Sequence, residues 1–278
     1  DGLLPDTDYE IMLVRANEAS ETVTFHTEPE PITLNVRDFG AFGDGAHDDT
    51  SAIQAAILCC PKNARVLISK GTYLVTALFL KSDMILELQE NAVLAGIYDR
   101  ARTPILPGQI EYDNEDGYYN LGSWEGNPID SFASMITGIH VKNVTICGKG
   151  VLDGRADFEN WWSRPKDKIR AWRPRMIFLN HCENITVVGV TVQNSPAWNL
   201  HPYFSNQIRF LDMEVKGPAN SHNTDGCDPE SCTNVEIAGV HFSVGDDCIA
   251  IKSGKIYMGK KFKVPSKHIH IRQSWMQD

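Results

Sequence analysis

The chain has 278 residues, 42% hydrophobic and 22% charged, a globular composition with enough apolar material for a sizeable core and no sign of a disordered or fibrous protein. Its formal charge of −10 disfavours nucleic acid as a partner, because phosphate binding wants a basic face. Apolar runs such as residues 77–80 are far shorter than the roughly 18 residues of a membrane span, so no membrane partner is expected.

The first residues, DGLLPDTDYE, lack the basic start and apolar stretch of a secretion signal, which leaves a cytoplasmic and a secreted bacterial location both open. Residues 1–30 read as the end of a separate all-β module with its linker. Tyr9-Glu10-Ile11-Met12-Leu13-Val14 and Thr22-Val23-Thr24-Phe25 are strand-like runs, and the pattern resembles the last strands of a fibronectin type III domain. Glu28-Pro29-Glu30-Pro31 makes a stiff linker, and residues 31–278 form the main domain. Val36-Arg37-Asp38-Phe39-Gly40 is predicted as a strand. A helix follows, capped by Asp48 or Asp49, with Ile53, Ala56, Ile57 and Cys60 at helical spacing and Pro61 as its stop. Capping accounts for Asp48 and Asp49 better than a calcium loop with Asp44 does, since no EF-hand spacing follows.

Beyond the helix a unit recurs, a polar turn residue followed by alternating apolar residues: Asn143-Val-Thr-Ile, Asn184-Ile-Thr-Val, Gln207-Ile-Arg-Phe, Asn234-Val-Glu-Ile and His268-Ile-His-Ile. Aligning Val144, Ile185, Ile208, Val235 and Ile269 gives separations of 41, 23, 27 and 34, the shortest close to one coil and the others implying longer loops or an intervening coil. Short strands at such spacing predict an all-β parallel β-helix, in which each coil buries its inward residues on its neighbours. A sandwich would need Asp-Gly or Asn-Gly hairpin turns between neighbouring strands, and those here are not placed regularly. Cys182 and Cys232, in the matching contexts HCENIT and SCTNVE, are predicted as small buried fillers at equivalent places; the odd total of seven cysteines favours a reducing compartment.

Chemistry concentrates in Asn223-Thr224-Asp225-Gly226-Cys227-Asp228 and in Gly245-Asp246-Asp247-Cys248-Ile249-Ala250-Ile251-Lys252-Ser253-Gly254. Asp225 precedes Asp246 by 21 residues, close to one coil, so the two can share a face of neighbouring strands roughly 4.8 Å apart. Asp246 and Asp247 are consecutive and reach one cleft only from a turn or bulge, which Gly245 permits. Single aspartates in such turns usually bond their own backbone. Three in register, followed by Lys252, suit acid/base catalysis at a glycosidic bond.

With Asn194-Ser195-Pro196-Ala197-Trp198 upstream, and the entrance Phe39-Gly40-Ala41-Phe42-Gly43-Asp44-Gly45 with Asp48-Asp49-Thr50, these motifs resemble the polygalacturonase family of glycoside hydrolases, family 28, over about residues 32–278. The resemblance implies a right-handed parallel β-helix that hydrolyses α-1,4-galacturonosyl linkages of pectin or polygalacturonate with inversion, using no cofactor and no metal. A fibronectin-like module ahead of it looks like the bacterial exo-acting branch. Asp246 would be the general acid, and Asp225 and Asp247 would hold and deprotonate the attacking water. Their separation by one coil is shorter than is usual for inversion and by itself points to retention.

Residues 248–272 hold six lysines and Arg272 with no Asp or Glu, a cationic segment suited to a substrate with a carboxylate on every sugar. Lys252 is the leading candidate for that contact. Asn223, Trp198 and His222 complete the expected substrate-binding set, His222 reading equally as a polar turn residue. Tyr112, Tyr118, Tyr119, Trp124, Trp161, Trp162 and Trp172 sit in loop-like sequence, as sugar platforms or loop anchors. The family's Gly-His-Gly and Arg-x-Lys motifs do not occur in these 278 residues, so the resemblance implies a piece cut at both ends that hydrolyses little by itself. Two competing readings are a calcium-dependent pectate lyase on the same fold, marked by an unsaturated product and chelator sensitivity, and a non-catalytic glycan-binding β-helix.

Overall fold

The computed structural model describes residues 3–15, 18–108, 110–111 and 118–277. Its backbone is a right-handed parallel β-helix with three sheets along its length. One sheet runs from Thr33–Asn35 through Ala64–Ile68, Met84–Leu88, Lys142–Gly148, Glu183–Val188, Asn206–Leu211 and Thr233–Ala238 to Lys267–Arg272. A second, also of eight strands, runs from Asp44–Asp48 to Trp275–Gln277. The third stacks Leu78–Phe79, Ile136–Ile139, Ile177–Asn180 and Leu200–Tyr203, and continues as bridges from Leu200 to Cys227 to Ile249 and from Tyr203 to Glu230 to Lys252.

The alignment of apolar residues holds in register: Val144 pairs with Ile185, Ile185 with Ile208, Ile208 with Val235, and Val235 with Ile269. Separations of 41 and 34 are therefore single coils with longer loops. The polar turn residue has a conformational cause: Asn143, Asn184, Gln207, Asn234 and His268 all lie in the left-handed region, with φ between 53° and 57°. Asparagine tolerates that region best, and stacked amides add cross-coil bonds such as Asn184 Nδ2 to Asn143 Oδ1 at 2.9 Å. Inward positions alternate with outward ones, so Val144, Ile146, Ile185, Val187, Ile208, Phe210, Val235 and Ile237 form one continuous buried column. Cys182 and Cys232 are buried at equivalent turns with Ser205 between them; Ser205 Oγ accepts from the Cys182 amide and the Cys232 sulfur accepts from the Ser205 amide.

Helix α1 (Thr50–Cys59) packs Ile53, Ala56 and Ile57 into the same core. Asp48 accepts from the Thr50 amide (2.9 Å) and pairs with Arg102, whereas Asp49, the N-cap residue, does not cap the helix with its side chain but turns back to the Phe42 and Gly43 amides (2.7 and 3.0 Å). The predicted strand at residues 36–40 is instead a 3₁₀ turn, Val36–Phe39; Asn35 accepts from the Arg37 amide and Gly40 ends the turn at φ 93°. Strands Asp8–Arg15 and Glu18–His26 form an antiparallel hairpin. Among the described residues no helix is long and apolar enough to cross a membrane.

Candidate active site

The outward face of the third sheet is unusual for a β-helix surface because it is polar and buried. Bridging of Leu200 to Cys227 and of Tyr203 to Glu230 sets His201 level with Asp228, and the next bridge sets Glu230 level with Lys252. By the same register Trp198, Asp225 and Asp247 stand level on three successive coils, tied by the Asn199 amide to Asp225 O (2.8 Å) and the Gly226 amide to Asp247 O (2.9 Å). Asp246 and Asp247 lie in a turn. Only glycine fits ahead of them, because a Cβ on Gly245 would fall 2.4 Å from Ser221 O and 2.7 Å from Pro218 O. The Gly245 amide donates to Thr224 Oγ1 (3.1 Å) and the Asp247 amide to Asp246 Oδ1 (3.0 Å), which holds both side chains on the cleft side.

Asp225, Asp246 and Asp247 bring carboxylate oxygens within 4.8 Å of one another. They line a cavity of about 480 Å³ together with Trp198, Asn223, Glu230, Lys252, Lys255, Glu125 and Gly126. A groove of similar volume crosses the outside of the first sheet, but there Glu236 and Arg272 are spent on each other at 2.7 Å and Arg209 donates to Asn184 Oδ1 at 3.2 Å. Asp246 and Asp247 are exposed, whereas Asp225 is buried. Burial pushes the Asp225 carboxyl up from its ordinary 3.8, with Lys252 opposing and Asp246 adding to the rise. Asp228, fully buried, is pushed up further, by burial and by Asp225, again against Lys252. The Lys252 ammonium lies 3.4 Å from Asp225 and 2.7 Å from Asp228; the second contact is an ion pair outside hydrogen-bond angles. Burial lowers the pKa of Lys252, but Asp228 and then Asp225 outweigh it and leave the net shift upward.

The expected substrate-binding residues fare differently. Lys252 reaches the cavity already held by two carboxylates, so it tunes Asp225 before it meets any ligand. Trp198 is 2% exposed, stacked on Trp124 at 4.9 Å and covered by the Lys252 ammonium at 4.6 Å, which leaves no free face for a sugar. Asn223 lines the cavity while its Oδ1 accepts from Arg173 Nη2 at 2.8 Å. His222 is exposed and does not line the cavity; its carbonyl takes a bond from Arg173, which fits the turn role. Trp124, Trp161 and Trp162 are buried loop anchors. Tyr112 lies outside the described residues, as do the side chains of Tyr118 and Tyr119.

Asp228, Glu230, His201 and Arg175 received no catalytic role from sequence. The 27-residue offset between Ile208 and Val235 also brings His201 to Asp228 and Tyr203 to Glu230, so the coil spacing in the sequence carries the signal for their meeting. His201 Nε2 donates to Glu230 Oε2 at 3.0 Å inside a cage of Phe178, Trp198 and Tyr203 rings. Burial lowers His201 from 6.5 to about 4, against the Glu230 bond that raises it, so the imidazole is neutral. A histidine neutral when folded costs stability as pH falls from 6.5 towards 4, because the unfolded chain takes the proton first. Asp225 and Asp228, whose folded values are raised, act in the opposite sense. A His201→Gln variant, which keeps a donor for Glu230, is therefore expected to lose less stability than wild type between pH 7 and 4, by about 3 kcal/mol at most. Urea unfolding at both pH values reads the difference, and parallel losses would refute a neutral His201.

The sequence profile described as Glycosyl hydrolases family 28 matches residues 115–266, more than half of the chain. This chain belongs to family 28. A second profile, Rhamnogalacturonase A/epimerase, pectate lyase-like, matches residues 33–151. Among curated relatives, a "Probable polygalacturonase" of Vitis vinifera is 32% identical over 85% of this chain and 47% of its own length. An exo-poly-alpha-D-galacturonosidase of Dickeya chrysanthemi is 28% identical over 91% of this chain and 48% of its own. The solved family 28 exopolygalacturonase of Yersinia enterocolitica superposes with a TM-score of 0.79 at 26% identity, over 98% of this chain and 55% of that one. The chain thus spans about half the length of the curated relatives it matches.

Proposed function

We propose that the protein hydrolyses α-1,4-galacturonosyl linkages of pectic polysaccharide and releases galacturonic acid from the chain end. The observation that carries this reading is the convergence of Asp225, Asp246 and Asp247 within 4.8 Å at the wall of an open cavity. Asp246, exposed at the cleft, donates its proton to the leaving oxygen. Asp225 and Asp247, level on adjacent coils, hold a water between them and take its proton as it attacks C1. Lys252 opposes the push of burial on Asp225 and so favours the ionised form that a base needs. The exopolygalacturonase names among the relatives support action at chain ends. So does the contact of Gly126 with Gly254, so close that a Cβ on Gly126 would lie 2.1 Å from Gly254 O, with the Glu125–Lys255 pair (2.7 Å) beside it at the cavity edge.

A specific observation favours a second mechanism: carboxylates within 4.8 Å fall below the roughly 6.5–9.5 Å of inverting enzymes and near the roughly 5 Å of retaining ones. Inversion requires the water held by Asp225 and Asp247 to reach C1 from the face opposite the leaving oxygen, so the anomer released distinguishes the two mechanisms. Proton NMR of the first-formed product decides. Inversion of an α linkage gives the β-anomer, and an initial α-anomer would assign retention. Chromatography should show monomer accumulating from polygalacturonate, insensitive to chelator; an unsaturated product absorbing in the ultraviolet and abolished by chelator would make the protein a lyase.

A further inference from the structure

Arg173 is the largest fully buried side chain among the described residues, 1% exposed, and it forms no ion pair among them. A buried guanidinium without a carboxylate partner is costly, and burial, with Arg100 and Arg175 nearby, lowers its pKa to about 10, still cationic in neutral solution. Its hydrogen bonds say what it holds. Pairing of Ile177 with Leu200, and of Leu200 with Cys227, makes Arg173, Pro196 and Asn223 equivalent positions on three successive coils. The guanidinium runs along that stack: Nη1 donates to Pro196 O at 2.6 Å and to His222 O at 2.8 Å, and Nη2 donates to Asn223 Oδ1 at 2.8 Å. Two coils are roughly 9.6 Å, a span that needs a long side chain, and three acceptors in different directions need a fork of donors, which lysine lacks.

These acceptors lie just ahead of the catalytic ladder, Pro196 two residues before Trp198 and Asn223 two before Asp225. Arg173 also packs over the Trp124 ring at 5.8 Å, one residue from the cavity wall at Glu125 and Gly126. We infer that Arg173 is a positioning residue: its guanidinium clamps the 222–225 turn to the two coils behind it and so fixes Asn223 and Asp225 at the cleft. The inference rests on the proposed hydrolysis and names a residue that never touches the reacting atoms.

The test compares Arg173→Gln, Arg173→Lys, Asn223→Gly and the Arg173→Gln/Asn223→Gly pair in the full-length protein, assayed for new reducing ends. Displacing a catalytic carboxylate by an ångström costs on the order of 10²-fold, so Arg173→Gln should lower kcat by about that factor with KM changed by less than about threefold. Arg173→Lys, which keeps the charge but not the fork, should not restore kcat. Because the two residues act through one bond, the pair should be little worse than Arg173→Gln alone. Full activity of Arg173→Gln or Arg173→Lys, or multiplicative losses in the pair, would overturn the clamp and leave the hydrolase reading intact. An inactive wild type would overturn both. Should Arg173→Gln not fold, Asn223→Gly decides, since this half-buried residue sits at φ 55°, a conformation that glycine adopts without strain: a kcat loss of about tenfold at constant KM supports the clamp, and wild-type kcat refutes it.

Discussion

Asp246→Asn is expected to reduce hydrolysis of polygalacturonate by about 10²- to 10⁴-fold while the thermal unfolding midpoint stays within a few degrees of wild type. The stability half of that statement follows from exposure: Asp246 is a surface carboxylate whose hydrogen bond from the Asp247 amide an amide oxygen can also accept. The catalytic half depends on its role, and a synthetic substrate separates the roles. A galacturonoside with a nitrophenolate leaving group needs no proton on its departing oxygen, so it should restore turnover to Asp246→Asn and not to Asp225→Asn. Rescue of Asp225→Asn instead would exchange the two assignments, an outcome with physical motive because burial raises Asp225.

Lys252→Met should be the most destabilising single change at the site. It removes the cation 2.7 Å from Asp228 and 3.4 Å from Asp225, leaving two buried carboxylates to repel each other; breaking such a pair costs about 3–5 kcal/mol. The sign with pH is definite. Both aspartates have folded values raised above 3.8, so their burden is present above those values and disappears as they protonate; the gap between variant and wild type should narrow towards pH 4. Lys252, whose folded value is raised above 10.5, stabilises fully below 10.5 and loses that contribution only as pH climbs through its folded value. In activity, Asp225 without Lys252 holds its proton to higher pH, so the acid limb of the rate profile should move upward. A gap that is constant with pH, or an unmoved limb, would show that Lys252 packs there without tuning Asp225.

Much of this architecture could be read along the chain. A strand in a β-helix announces itself by local alternation, and the left-handed turn ahead of it by a residue that tolerates positive φ, so Asn143, Asn184, Gln207, Asn234 and His268 marked the coils and Val144 to Ile269 their inward column. The cluster of Asp225, Asp246 and Asp247 is legible too, because a turn of consecutive acids behind Gly245 has few structural uses. Residues 36–40 misled because Val36 and Phe39 look like strand residues, while Asn35 takes the Arg37 amide and tightens the chain into a 3₁₀ turn.

Periodicity within a segment told which residues face in and which face out, since a pleated strand has no other choice. It could not tell which outward residues of different coils touch, because loops of unequal length separate them and one residue of slip changes every neighbour. Only the closed coil brings His201 onto Glu230, wedges Lys252 between Asp225 and Asp228, hides Trp198 beneath Trp124, and lets Arg173 reach Asn223. The identities of the acids belong to the one-dimensional chain; their burial, and therefore which of them holds a proton, belongs to the packing of coils and loops around them.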